Sequence, residues 1–372
     1  MHASTLARAG RVLALLALLT PGLSSADIIL GNSGDLSGTS ASLTKDYLRG
    51  MNAYFDEVNR KGGVRGEKIK LVSLDDGFNP DKTAENTKAL IDQNALALVG
   101  LRGTANVQKI IPQIQAAGIP QIGNTSGAKS LRDPYVEGLF HLRASTTDEI
   151  EAAVNHAWTT GITRLAVAYQ DDAFGKEGMD ALLASLKKRD ATPVAQAPVP
   201  RGTVDVAKAV DAIAAVQPQA VMYIGQSKPA AALIKGIHAK GGRPQFFVLS
   251  VASGLHADLH EEAAGVIVSQ VVPYPFTEMG NPVVRDYQKT LGAFDDGKFS
   301  YNSMEGYLNA KLVTIALQKT APPLTRARLI ATLKGLTNED LGGFAISYGP
   351  HSNLGSRFVA LSMIRKDGTF AR

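Results

Sequence analysis

Residues 28–63 read IILGNSGDLSGTSASLTKDYLRGMNAYFDEVNRKGG. The short apolar run Ile28-Ile29-Leu30 suits a buried strand, and a glycine-rich turn follows it. Leu48, Met51, Phe55 and Val58 then recur at 3, 4 and 3 spacing, the apolar face of a helix. Lys61-Gly62-Gly63 closes that helix, because glycine accepts a left-handed cap. The same unit recurs along the chain. Strands are expected at 69–74, 95–99 and 120–122, with helices over 80–92 and 107–117. A second series follows, with helices over 149–160, 174–189, 204–216 and 229–240. Its strands are expected at 165–169, 193–199, 220–224, 246–249 and 266–272. Helices near 282–291, 301–319 and 325–336, a strand at 358–364 and the turn Lys366-Asp367-Gly368 complete the chain. Such alternation puts helices on both faces of parallel sheets. Two series predict an α/β fold of two lobes, each a parallel sheet flanked by helices. No Pro/Ser-rich linker separates them, so the lobes should join by short crossings near 142–145, 271–274 and 353–357. The expected division is 27–144 plus 274–354 for the first lobe and 145–273 plus 355–372 for the second. Several crossings between two lobes make a hinge about a cleft.

The first 26 residues bound the location. His2, Arg8 and Arg11 give a basic start, Val12 to Leu19 is a short apolar run, and Pro21-Gly22 breaks it. Ser24 and Ala26 put small residues at the −3 and −1 positions of a cleavage site, the layout of a secretory signal peptide. The run is far below the roughly 20 residues that cross a bilayer. Asp27 is the expected mature N-terminus. The chain has no cysteine, which excludes disulfides, thiol catalysis and a lipidated cysteine. A freely diffusing exported protein fits an enclosed compartment, the periplasm. Of the formal charge of +5, removal of Arg8 and Arg11 leaves +3, with no basic block. Nucleic acid is not suggested as a partner.

Ligands of open α/β sheets sit beyond the carboxyl ends of strands, at helix N-termini. Three first-lobe loops qualify: Gly31 to Gly38, containing Ser37; Gly100 to Asn106, containing Arg102 and Thr104; and Gly123 to Ala128, containing Asn124, Thr125 and Gly127. Each offers small residues, hydroxyls and backbone N–H groups, which favour an anion. Plain helix capping is the alternative for any one loop. Arg102 and Arg143 could each meet a carboxylate bidentately, or form an inter-lobe ion pair. Across the cleft, Gln170 to Gly175 with Asp172, Gly225 to Ser227 with Gln226, and Ser250 to Ser253 follow second-lobe strands. Tyr169 and Tyr301 are candidates for an aromatic wall or for buried packing.

Enzyme signatures are weak. The first loop runs G-x-x-G-x-x-x-G, which misses the dinucleotide spacing, and no G-x-S-x-G occurs. His256 and His260 lie four apart but form no H-E-x-x-H; a solvated helix face is the reading preferred to zinc. No cofactor is expected.

The chain resembles the type I periplasmic solute-binding proteins of ABC importers, in the leucine/isoleucine/valine-binding branch. The resemblance rests on residues 31–38, Asn59 to Gly66, Leu74 to Gly77, Ala117 to Pro120 and Asp172 to Gly175 in their order and spacing. It implies a two-lobed clamshell that closes on a small polar solute and presents it to an inner-membrane permease. In amino-acid binders the first lobe holds the ligand carboxylate through positions matching Thr104, Thr125 and Gly127. The second lobe supplies an aromatic and an acid for the ammonium, and those places fall nearest Gln226 and Val251 here. An amino-acid ligand would then require Asp171 or Asp172 to point inward. The expectation is a monomeric binding protein for a small carboxylate-bearing solute. A soluble sensor for a membrane receptor or kinase, or a secreted α/β enzyme, are the rival expectations.

Overall fold

The computed structural model describes residues 27–277, 280–295 and 298–372. The signal-peptide reading of residues 1–26 falls outside them. The first series is β1 (Ile28–Gly34), α1 (Ala41–Arg60), β2 (Ile69–Asp75), α2 (Pro80–Asp92), β3 (Ala97–Val99), α3 (Thr104–Ala117), β4 (Gln121–Ile122) and β5 (Leu139–Phe140). The second is α4 (Thr146–Thr159), β6 (Leu165–Asp171), α5 (Ala173–Lys187), β7 (Ala195–Pro200), α6 (Ala207–Val216), β8 (Ala220–Ile224), α7 (Ser227–Ala239), β9 (Gln245–Val248), α8 (His256–Leu259) and β10 (Ile267–Gln270). The chain ends with α9 (Pro282–Phe294), α10 (Tyr301–Lys319), α11 (Arg326–Lys334), β11 (Glu339–Asp340), β12 (Ala345–Ile346), β13 (Ala360–Ile364) and β14 (Phe370–Ala371).

The strands of the first series form one parallel sheet in the order β2-β1-β3-β4-β5. A second sheet runs β14-β13-β10-β9-β8-β6-β7. It is parallel from β7 to β10, and β13 and β14 add an antiparallel edge. The turn at Asp367-Gly368 joins β13 to β14 as a hairpin, which can only pair antiparallel. The last strands thus return to the second sheet, while α9 and α10 pack on α1. The segments around 142 and 355 run side by side: Ser356 N donates to Leu142 O (2.9 Å) and His141 N to Asn353 O (2.9 Å).

Local signals set the boundaries. Asn79 caps α2, accepting from Asp81 N at 2.9 Å, with Pro80 as the first helical residue. Ser145 and Asp148 form a reciprocal capping box, so α4 starts at Thr146, three residues before the spacing of apolar residues suggests. Along α1, Leu43, Tyr47, Leu48, Met51 and Phe55 are buried. The helix lies almost backbone to backbone on α10. A Cβ on Gly50 would stand 1.8 Å from Ser303 O, and one on Gly306 1.9 Å from Tyr47 O. His260 takes a φ of 52°, so α8 stops at Leu259 and His256 and His260 do not share a helix face. Their rings meet edge to face, and no group of three or more potential metal ligands occurs among the described residues.

Candidate ligand cleft

In the order β2-β1-β3 the first sheet reverses direction of winding at β1, and in β8-β6-β7 the second does so at β6. These are the topological switch points where α/β sheets leave a crevice. The two crevices face each other. Between them is a cleft with about 270 Å³ of unfilled space, part of it open to solvent. The first sheet contributes Phe78 after β2, Arg102, Gly103 and Thr104 after β3, and Thr125 and Ser126 after β4. The second contributes Gln170, Asp172 and Phe174 around the end of β6, Gln226 after β8 and Val251 after β9.

Each wall is held by local chemistry. Asp76 fixes the loop bearing Phe78, accepting from Phe78 N (2.9 Å), Thr83 Oγ1 (2.9 Å) and Ser33 Oγ (2.9 Å). Phe78 sits at a φ of 63°, a conformation costly for a bulky residue and held only by such surroundings. Gly103 has a φ of 91°, and a Cβ there would meet Phe78 Cε2 and Asn106 Oδ1 at 2.9 Å. Glycine lets the aromatic ring lie against the turn. Thr104 Oγ1 and Ser126 Oγ share a 2.7 Å hydrogen bond, and Thr125 N donates to Leu101 O (2.8 Å). On the opposite wall, Asp172 caps α5 through Gly175 N (3.1 Å) and accepts from Gln170 Nε2 (2.6 Å).

The charges divide sharply into satisfied and unsatisfied. Arg143, 2% exposed, donates from Nη1 to Thr125 O (2.7 Å) and from Nη2 to Glu149 Oε1 (2.9 Å) and Ser250 Oγ. Glu305 Oε1 lies 3.5 Å from its Nη1. Glu149 also accepts from Ser250 N (2.9 Å) and Ser269 Oγ (2.6 Å). Burial opposes the Arg143 charge, yet Glu305 and Glu149 outweigh it and hold its pKa above the ordinary value. Arg102 differs. It is 3% exposed, and among the described residues it makes no hydrogen bond or ion pair; Nε and Nη1 are buried without an acceptor. Burial pushes it down to about 10, against the attraction of the more distant Glu305. Burial also raises Glu305, despite Arg143 and Arg102.

Arg102, Thr104, Thr125, Asp172 and Gln226 thus come together in the cleft. Arg143 and Ser250 lie behind it as a structural pair. Asn124 bonds Gln121 (3.0 Å) and His141 (3.1 Å), and Gly127 packs against Thr146. Ser37 bonds Asp75. Tyr169 packs half-buried beside the core of α4 and α5. Tyr301 is enclosed by Tyr274, Phe276 and Phe370 at ring distances of 5.1–6.3 Å. None of these lines the cleft. Asp171 pairs with Lys176 at 2.9 Å, its side chain 47% exposed. Phe78, Ser126, Phe174 and Gln170 line it without having been singled out from sequence.

Two α/β sheets facing each other across a small polar cleft define a protein that encloses a small solute. The chain belongs to the periplasmic binding protein family, whose model matches residues 27–369. An amino acid binding protein of Pseudomonas aeruginosa is 28% identical over 242 residues, which span 63% of this chain and 64% of that protein. A possible leucine/isoleucine/valine-binding protein from Rhodopirellula baltica superposes with a TM-score of 0.88 at 28% identity, over 95% of this chain and 98% of that one. A substrate-binding periplasmic protein from Ralstonia solanacearum gives 0.87 at 31% identity, over 92% and 99%. These relatives are solute-binding proteins and not enzymes. No described helix is long and apolar enough to cross a membrane.

Proposed function

We propose that this chain is the periplasmic substrate-binding protein of an ABC-type uptake system, and that it clamps a small carboxylate-bearing solute for delivery to an inner-membrane permease. The observation that carries the ligand class is Arg102. A buried guanidinium without a partner costs several kcal/mol, and a ligand carboxylate would supply acceptors along one edge of the fork, Nη2 with either Nε or Nη1. Thr104, Thr125 and Ser126 add hydroxyls beside it, while Asp172 and Gln226 approach from the other wall. The lobes in this reading are 27–144 with 274–354 and 145–273 with 355–372, a division supported by the return of β13 and β14 to the second sheet. Rotation about their crossings opens and closes the site. The test is calorimetry with matched pairs, each acid against its amide, after a thermal-shift screen of small carboxylates. An acid should bind and its neutral amide should not. Equal affinity for the two would refute the anion site.

A further inference from the structure

Arg201 follows the last residue of β7, and its side chain both touches the acid of the cleft and reaches across to the other wall. Its Nε lies 3.0 Å from Asp172 Oδ2, an ion pair whose N–H is not aimed to make a hydrogen bond. Its Nη2 donates to Asn106 Oδ1 on α3 at 2.7 Å. Its guanidinium carbon stands 4.3 Å from the centre of the Phe78 ring. Asp172 and Arg201 come from the second sheet, Asn106 and Phe78 from the first. Among the residues lining the cleft Asp172 is the only acid; each of its oxygens accepts one hydrogen bond, from Gly175 N and Gln170 Nε2, and Arg201 pairs with its charge. The remaining lining of that wall is neutral: Gln170, Gln226, Phe174 and Val251. A ligand ammonium entering here would have to displace Arg201 or share a carboxylate whose charge Arg201 already balances, and partial pairing in a buried site is costly.

We propose that Arg201 sets the ligand class by occupying Asp172, so that the cleft takes carboxylates with an apolar body and no ammonium group. This rests on the carboxylate site at Arg102 proposed above. Phe78, Phe174 and Val251 supply the apolar surface for the body of the ligand, and the Arg201 guanidinium lies over the Phe78 ring. The probes are two sets of equal carbon skeleton: phenylalanine, 3-phenyllactate and 3-phenylpropanoate; and leucine, 2-hydroxy-4-methylpentanoate and 4-methylpentanoate. Calorimetry is run on the wild type, Arg201→Gln and Asp172→Asn, with circular dichroism confirming the fold of each. In the wild type the best ammonium-free acid should bind at least about tenfold tighter than its amino acid, the scale of one unpaired charge-assisted contact. Arg201→Gln frees Asp172 and should shift that ratio towards the amino acid by about tenfold. Asp172→Asn removes the acid itself and should leave the preference for the ammonium-free acid in place. A wild type that prefers the amino acid overturns the inference, as does an Arg201→Gln ratio equal to the wild-type ratio. A parallel change in both variants would assign Arg201 to closure alone and would also overturn it. Equal binding of acids and their amides, or binding of none of the six, removes the carboxylate site itself and this inference with it.

Discussion

Replacing Arg102 by methionine should move affinity and stability in opposite directions, and that divergence separates a ligand-binding arginine from a structural one. Methionine keeps much of the length and apolar stem and removes the charge. In the folded protein Arg102 Nε and Nη1 lack acceptors. A bound carboxylate along one edge of the fork, Nη2 with either of these atoms, makes two charge-assisted bonds of about 1.5–3 kcal/mol each, or about 3–6 kcal/mol together. At about 1.4 kcal/mol per tenfold, Arg102→Met should weaken binding by roughly two to four orders of magnitude. The free protein loses no hydrogen bond in the exchange and sheds a buried, unpaired charge, a change that is commonly neutral or stabilising by about 1–4 kcal/mol. The lost attraction to Glu305 reduces that gain. The urea midpoint of the ligand-free variant should therefore equal or exceed that of the wild type, while calorimetry with the best carboxylate shows little or no heat. Arg102→Lys should fall between, since it keeps the charge without the planar fork. If the variant binds within threefold of the wild type and its free form loses more than about 2 kcal/mol, Arg102 is a structural residue and the anion site lies elsewhere.

Glu149→Gln should destabilise the protein by about 3–5 kcal/mol in urea unfolding, because it leaves Arg143 with one buried counter-charge fewer and puts an amide where Arg143, Ser250 N and Ser269 Oγ all donate. His141 is fully buried, and burial with Arg132 beside it holds its pKa well below the ordinary value. Below about pH 6.5 the unfolded chain binds a proton that the folded chain refuses, so stability should fall with pH by up to about 1.4 kcal/mol per unit. His141→Gln should flatten that slope between pH 6.5 and 5.5, and an unchanged slope would contradict the assignment. Gly306→Ala drives a methyl into Tyr47 O at the crossing of α1 and α10. It should cost about 1–3 kcal/mol or more by overpacking, against little effect for alanine at Gly292, where a Cβ meets nothing within 4 Å.

The fold was legible because its units repeat. Each strand with more than three apolar residues and each helix with an apolar stripe announces itself, and α2, β8 and α10 match the expected bounds to the residue. β5 was not legible: two residues, Leu139 and Phe140, carry no periodicity. The start of α4 was hidden because the capping box uses Asp148, where the usual pattern has glutamate or glutamine. The contact of Gly50 and Gly306 was invisible for another reason. Two glycines 256 positions apart become informative only when the helices that bear them touch. In the cleft, the sequence located the loops after β3, β4, β6 and β8, since these follow from strand order. It did not rank residues within a loop. Asn124 and Gly127 share a loop with Thr125 and Ser126, yet Asn124 turns back to Gln121 and His141. Phe78 was overlooked because its left-handed conformation falls in a turn whose sequence, Asp75-Asp76-Gly77, already accounts for the bend.

Arg102 and Arg143 show why the last step needs coordinates. Read as sequence, they carry equal weight: an arginine at the end of a strand, open to a carboxylate or to an ion pair. Both are almost completely buried, and both feel Glu305. What separates them is the supply of acceptors. Arg143 has a backbone carbonyl, a serine hydroxyl and two carboxylates on its two Nη atoms and lacks an acceptor only at Nε, so a ligand anion there would compete for donors already in use. Arg102 has distant attraction and no contact. Glu305 is held mainly by Arg143, which leaves the charge of Arg102 exposed to whatever enters the cleft. On the facing wall the logic is inverted, because each Asp172 oxygen already accepts a hydrogen bond and Arg201 balances its charge. The cleft therefore presents one cation seeking a partner and one anion that already has its own. That asymmetry favours a ligand with a single negative charge over a zwitterion, and no reading of residue types alone could have produced it.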